Sequence, residues 1–276
     1  MYKTGKWARQ IIARQEPDGS WGWFHSMCST DRSPLTTEMA LRRLERLGFT
    51  KDDACIQRAL AYMEDCLAGR SAIPDRPEKA QDWDVFTAMI LSAWIRRYTD
   101  ENEAANAVAH RWAAVVTRAF AGGAYDPDAY DQAYREIIHP RGGRMIGIAQ
   151  FYMVTLLRGE LDAETENAFV RHVLESPDGI YYIYDRCLRT PPADFQSKTA
   201  SRYLAAIELL AEYPAAREQM RFAAQWLRQH QDANGRWDMG AKARDGVYFP
   251  LSDDWRTPAN RENDCTRRIE RLLCRL

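Results

Sequence analysis

The chain has 276 residues, 46% hydrophobic and 28% charged, and its 38 Lys+Arg nearly balance 39 Asp+Glu, leaving a net charge of -1. That balance excludes a global field drawing the protein to nucleic acid or an anionic membrane, and the composition excludes long disorder. The six cysteines (Cys28, Cys55, Cys66, Cys187, Cys265 and Cys274) are dispersed without a C-x-x-C pair, against both a disulfide framework and a zinc finger. No stretch approaches the roughly 18 uncharged residues of a membrane span, and the first residues carry too short an apolar run for a signal peptide. A cytoplasmic protein with no membrane span is expected.

In chain order, the first predicted helix begins near residue 4 and runs into Gln10-Ile11-x3-Gln15-x3-Gly19-x-Trp21. A second begins near 34 and carries Arg42-Arg43-Leu44-Glu45-Arg46-Leu47. Residues about 52 to 68 place Ile56, Ala59, Leu60, Met63 and Leu67 on one stripe, the pattern of a one-faced helix. Residues about 84 to 95 are apolar nearly all round and predict a helix buried on every side. Residues about 104 to 120 return to a single stripe with Ala105, Val108, Trp112, Val115, Val116 and Ala119. Tyr125 to Ile138 can add a further helix. Residues about 145 to 157 and 199 to 211 again read as helices buried all round, and one-faced helices begin near 162 and 215. The last helix begins near 260.

The ends repeat each other. Trp226-Leu227-x3-Gln231-x3-Gly235-x-Trp237 matches the first turn at a displacement of 216, and Arg267-Arg268-Ile269-Glu270-Arg271-Leu272 matches the second helix at 225. A loop nine residues longer in the last copy accounts for the difference, and Ser176-Pro177-Asp178-Gly179-Ile180-Tyr181 reads as a degenerate third copy. The unit is a helix, a D/N-G-x-W turn, a loop and a second helix, recurring about every 50 residues. One-faced and all-round apolar helices alternate, as two concentric rings require. The expected fold is a single all-α domain over residues 1–276: an α/α toroid, or barrel, of five to six helical hairpins with buried helices inside and amphipathic ones outside. An open solenoid is the alternative.

The Q-x3-G-x-W elements resemble the QW repeat of squalene-hopene cyclases and their relatives, which include the β subunits of protein prenyltransferases. The resemblance implies an α/α toroid around a central apolar cavity for an isoprenoid. In it the Gln caps a helix end and the Trp packs against the next repeat. Cyclases of this kind protonate their substrate with an Asp in D-x-D-D-T-A. Here Asp82-Trp83-Asp84-Val85-Phe86-Thr87-Ala88 aligns the first two acids and not the third. Prenyltransferase β subunits hold zinc with Asp, Cys and His; Asp264-Cys265 has adjacent spacing and no downstream His, so no metal site is expected.

In such a toroid the N-termini of the inner helices face the cavity mouth, where their dipoles favour anions. Asp82 and Asp84 are the candidate catalytic acids, since two close carboxylates beside an apolar cavity push one pKa upward and hold a proton. Trp83, Phe86, Tyr182 and Tyr184 can offer π faces to a carbocation. Arg141, Arg144, Arg186, Lys198 and Arg202 concentrate cations beside glycine-permitted backbone and can grip a diphosphate, in which case Mg2+ would accompany it. Asp264 completes the candidate substrate-binding set; N-caps, solvated loops and core packing explain many of these residues equally well. Together they lead to a terpenoid cyclase-like or prenyl-substrate enzyme with acid-initiated carbocation chemistry and a small apolar or isoprenoid substrate. A carbohydrate-active hydrolase or lyase and a non-catalytic binding or assembly protein stand as alternatives. A protein partner is left open.

Overall fold

A computed structural model describes residues 2–31, 34–77 and 80–276. Among the described residues the chain forms twelve α-helices and no strand: α1 Lys6–Ile12, α2 Thr37–Arg46, α3 Ala54–Leu67, α4 Trp83–Tyr98, α5 Glu103–Ala119, α6 Pro127–Ala133, α7 Phe151–Leu156, α8 Ala163–Glu175, α9 Lys198–Leu210, α10 Ala216–Gln219, α11 Arg221–Gln229 and α12 Pro258–Leu273. None of these helices is long and apolar enough to cross a membrane. The chain divides into two compact units: residues 1–109 with 140–144, and residues 110–139 with 145–276.

In the first unit α3 packs along α4, and the two helices bury themselves as their patterns predict. Ile56, Ala59, Leu60 and Met63 of α3 are buried while its other face stays wet; α4 buries every residue from Met89 to Arg96. In the second unit all six residues of α7 are buried, and α9 buries nine of its thirteen. One expected helix starts late. Residues 145 to 150 are not helical: the Ala149 carbonyl accepts from Tyr181 N (3.1 Å), Phe151 N donates to the Tyr181 carbonyl (3.1 Å), and the helix begins only at Phe151. The stretch from Tyr125 does form a helix, α6, extended by a π turn at Tyr134–Ile138.

Both terminal turns are built by the same hydrogen bonds. In the first unit Trp21 Nε1 donates to the Ile11 carbonyl (2.8 Å), Trp21 N donates to Thr37 Oγ1 (3.0 Å) and Gln15 Nε2 donates to the Gly19 carbonyl (2.9 Å). In the second, Trp237 Nε1 donates to Leu227 (2.7 Å), Trp237 N to Thr266 Oγ1 (3.0 Å) and Gln231 Nε2 to Gly235 (2.8 Å). Each Trp ring N–H ties the turn back to its own helix, and Gln15 also reaches the next repeat by donating to the Cys55 carbonyl of α3 (2.8 Å). Gly19, at φ 95°, lies so close to the Arg58 carbonyl of α3 that any Cβ would overlap it.

The Trp-to-Thr bond spans 16 residues in the first copy and 29 in the second. Thr37 opens α2 whereas Thr266 lies eight residues beyond Pro258 in α12, so the loops themselves, residues 22–36 and 238–257, differ by five residues, not nine. Against the register set by the Trp-to-Thr bonds, the Arg-Arg-Leu-Glu-Arg-Leu match is displaced by four residues, about one helical turn. The third turn keeps its shape, with Gly179 at φ 62° donating to the Ser176 carbonyl (3.1 Å). Its aromatic residue is not an anchor: Tyr181 is 61% exposed, against 3% for Trp21 and for Trp237.

His172 of α8 lies against Tyr125 and Phe120, with ring centroids 4.4 and 5.8 Å away. Burial pushes its pKa below the ordinary 6.5, with Glu175 opposing. The folded state then resists protonation that the unfolded chain accepts, so stability is full above pH 6.5 and falls as pH drops from there toward the lowered folded value. His172→Gln is expected to flatten that slope in urea unfolding followed from pH 7.5 to 5; an unchanged slope would contradict the assignment.

Candidate functional site

Asp82 begins α4 because its short side chain satisfies backbone donors that a helix start leaves unpaired. Its Oδ1 accepts from the N–H groups of Asp84 (3.1 Å) and Val85 (3.2 Å), while Oδ2 accepts from Arg141 N (2.6 Å). The 140–144 segment thus closes over the start of α4, with Arg144 N donating to the Ala80 carbonyl (2.6 Å). Gly143 is required there: a Cβ would stand 2.8 Å from Gln81 Cα and 2.9 Å from Asp82 N. The Arg141 guanidinium pairs with Asp84 Oδ2 at 3.0 Å, both side chains largely exposed, a contact contributing at most about 1 kcal/mol.

These donors decide the protonation of the first candidate acid. Partial burial opposes ionisation of Asp82, but the bonds from Arg141, Val85 and Asp84 and the charge of Arg141 prevail and hold its pKa below the ordinary 3.8. The raised pKa expected for an acid catalyst is replaced at Asp82 by the opposite. Asp82→Ala is expected to cost about 1 kcal/mol at pH 7, and Asp82→Asn less, since Asn also caps. Because a lowered carboxyl stabilises only while ionised, the difference between wild type and Asp82→Ala should shrink as pH falls below 3.8. Urea unfolding at pH 7 and pH 3 checks this; a difference that grows in acid would contradict it.

Beside Asp82, residues of α4 and of the segment leaving α3 line an open pocket of about 300 Å³. Leu67, Ala72, Ile73, Ala88 and Leu91 form apolar wall, with Trp83 beside them. Cys66, Ser71, Asp84 and Thr87 supply the polar atoms. Thr87 Oγ1 is shut off from solvent and finds no hydrogen-bond partner. Phe86 is buried, its ring 6.2 Å from Trp83 and 5.8 Å from His25, so it packs the core behind the pocket rather than lining it. Of the six predicted site residues in this unit, Asp82, Asp84, Trp83 and Arg141 come together; Arg144 joins them through its backbone, with its side chain exposed.

The other predicted residues belong to the second unit. Tyr182 has a left-handed backbone (φ 74°) and lies with its ring 4.2 Å from Tyr181 and 5.3 Å from Tyr152. Tyr184 is buried against Tyr203, at 5.4 Å, and burial raises its phenol pKa. Arg186 is exposed, as are Lys198 and Arg202, one turn apart at the start of α9. Arg141 and Arg144 do not begin an inner helix, since α7 starts only at Phe151. Asp264 does not begin one either. Pro258 opens α12, and Asp264 is buried within it, accepting from Leu251 N (2.9 Å), Ser252 N (2.8 Å) and Ser252 Oγ (2.9 Å). It pins the long last loop. Beside it, burial pushes the Cys265 thiol up to about 12, far from the thiolate that zinc would need. Among the described residues no group of three or more His, Cys, Asp or Glu could hold a metal ion.

Two more carboxylates of the first unit are buried, Glu38 at the start of the second helix and Asp75, which the sequence reading missed. Glu38 is wholly buried and accepts from Ser26 N and Trp94 Nε1, both at 2.7 Å. Asp75 accepts from Phe24 N (2.6 Å) and His25 N (2.7 Å). They hold the loop after the first turn as Asp264 holds the last one. No local signal marks Asp75, a single acid between Pro74 and Pro77. The pocket residues Thr87 and Leu91 were legible only as the positions three and seven beyond Asp84 on a helix. Comparison with known protein families, curated proteins and solved structures finds no match for this chain.

Proposed function

We propose that this protein binds a small apolar molecule, or the end of a longer one such as an isoprenoid chain, in the pocket between α3 and α4, without protonating it. The carrying observation is the pocket itself: apolar wall from Leu67, Ile73, Ala88 and Leu91, polar lining from Cys66, Ser71, Asp84 and Thr87, and a volume of about 300 Å³. Ligand sites are generally of this composition, at this size or larger. Acid-initiated cyclisation has less support, because the Asp82 carboxyl is held ionised by three backbone donors. The paired QW-type turns support kinship with the squalene-cyclase and prenyltransferase families. The alternation of one-faced and all-round buried helices supports closure as a single α/α toroid. Both belong to the same proposal.

Calorimetric titration with geraniol tests the reading. Binding is expected in the wild type and is expected to weaken at least about tenfold in Ala88→Phe, whose ring fills the pocket. No binding, or equal affinity in the two proteins, would remove the pocket as the site. Incubation with farnesyl, geranylgeranyl and squalene-type substrates is expected to give no cyclised product; a product lost in Asp82→Asn would restore the acid mechanism.

A further inference from the structure

The two carboxylate oxygens of Asp82 serve different partners. Oδ1 caps α4, accepting from Asp84 N (3.1 Å) and Val85 N (3.2 Å), while Oδ2 accepts from Arg141 N (2.6 Å). A helix cap needs only the first oxygen, which Asn, Ser or Thr would also supply. The second oxygen holds a segment that comes from far along the chain. Residues 140–144 belong to the first unit, although the chain before and after them belongs to the second.

Among the described residues that segment is tied down by polar bonds alone. Arg141 N donates to Asp82, Arg144 N donates to the Ala80 carbonyl (2.6 Å), and the Arg141 guanidinium pairs with Asp84 (3.0 Å). Arg141, Gly142, Gly143 and Arg144 are all exposed, so none of their side chains anchors it in the core. Segments with few buried apolar contacts and exposed hydrogen bonds open at low cost while the rest of the fold persists. His139 just before it, and Gly142 and Gly143 within it, have left-handed backbone (φ 55°, 155° and 82°), and the glycine pair can turn as a hinge. We propose that residues 140–144 are a strap that detaches as one piece while α4 stays folded, with the Asp82 carboxylate as its latch. Attached, the strap sets the Arg141 guanidinium on Asp84, the only charged residue among those lining the pocket. Detached, it leaves that carboxylate without its guanidinium. The strap thus sets the charge of the pocket, a consequence that rests on the pocket reading proposed above, whereas detachment itself does not.

Amide hydrogen exchange of the full chain, followed by NMR at pH 7, tests the strap. In Asp82→Asn the amide oxygen keeps the cap, and an NH2 group takes the place of Oδ2, donor against the Arg141 N–H. Exchange at Arg141 and Arg144 is expected to quicken together by about tenfold, the loss of one charge-assisted hydrogen bond, although the carboxylate meets only the first of them. Exchange at Phe86, whose N–H donates to the Asp82 carbonyl at the start of α4, should change less than about twofold because the cap is kept. Asp82→Ser, with a single side-chain oxygen, should repeat the pattern. Arg141→Gln removes only the exposed ion pair and should quicken exchange less than about fivefold. Quickening at Arg141 without Arg144, or at Phe86 to the same degree, would overturn the strap. Saturating geraniol should slow both amides in the wild type, because an uncharged ligand favours the state in which the lining carboxylate is paired, and the coupling is reciprocal. Unchanged exchange under saturation would overturn the link between strap and pocket. Geraniol that does not bind would overturn the pocket reading and leave the latch standing.

Discussion

Trp237→Ala is expected to lower the unfolding free energy by about 3 to 5 kcal/mol, the usual cost of emptying a large buried aromatic site. Trp237 is 3% exposed and joins two elements, through its ring N–H to the Leu227 carbonyl at the end of α11 and through its backbone N–H to Thr266 of α12. The substitution removes the ring bond and the apolar contacts at once, leaving the carbonyl unpaired. Trp237→Phe keeps most of the volume and should cost less. Trp21→Ala should behave as Trp237→Ala does, because its ring N–H closes the same bond onto Ile11. Tyr181→Ala, in the third turn, should change stability by no more than about 0.5 kcal/mol, as for ordinary surface positions. Denaturant unfolding of the four variants checks the series; a Tyr181→Ala cost equal to that of Trp237→Ala would contradict the distinction between anchor and exposed copy.

Arg268→Ala should be as damaging, about 3 to 5 kcal/mol, because it takes a buried guanidinium from a largely buried carboxylate and from Ser201 at once. Arg268 of α12 donates through Nε and Nη2 to the two oxygens of Glu208 on α9, at 2.7 and 3.0 Å, and through Nη1 to Ser201 Oγ at 3.0 Å. Its side chain is 5% exposed and that of Glu208 12%, and the guanidinium lies 4.8 Å from the Phe249 ring centroid. Ser201 Oγ in turn donates to Asp245 (2.5 Å), whose other oxygen accepts from the N–H groups of Val247, Tyr248 and Phe249. One cation therefore supports two helices and the loop before α12. Replacing both partners, as Arg268→Met with Glu208→Leu, should recover most of the loss, since no unpaired charge then remains. Thermal and denaturant unfolding of the single and double variants reads this directly; a double variant as unstable as Arg268→Ala would contradict it.

The helices were legible wherever apolar spacing is set by burial. Ile56, Ala59, Leu60 and Met63 gave α3 its face, and the unbroken apolar run gave α4 its burial. The two Gln-Gly-Trp turns were legible because the same backbone and ring bonds demand the same residues. What failed has physical reasons. The last loop was taken as nine residues longer where the helix starts make it five, because the Arg-Arg-Leu-Glu-Arg-Leu match sits one helical turn out of the register set by the Trp-to-Thr bonds. Asp264 resembled a helix cap by residue type, yet Pro258 had already started the helix, and its carboxylate instead holds Leu251 and Ser252. Residues 145 to 150 were read as helix with the apolar run to 157, yet Ala149 and Gln150 pair with Tyr181 instead, a partner 31 residues away from Gln150 that leaves no local trace. The Asp82–Asp84 pair was singled out as a proton source, and the opposite shift at Asp82 was not legible, since the bond from Arg141 N to Asp82 spans 59 residues and leaves no local trace.

That bond is also where the account is most exposed. If the site binds without protonating its ligand, Asp82 must be a carboxylate at neutral pH. A carbon-13 NMR titration of the side-chain carboxyls, with Asp82 assigned from its absence in Asp82→Asn, measures this at the atom concerned. A midpoint below the ordinary 3.8 is predicted, from the donors that meet at its two oxygens. A midpoint raised to about 6 or above, as in carboxyls tuned to donate a proton, would contradict it.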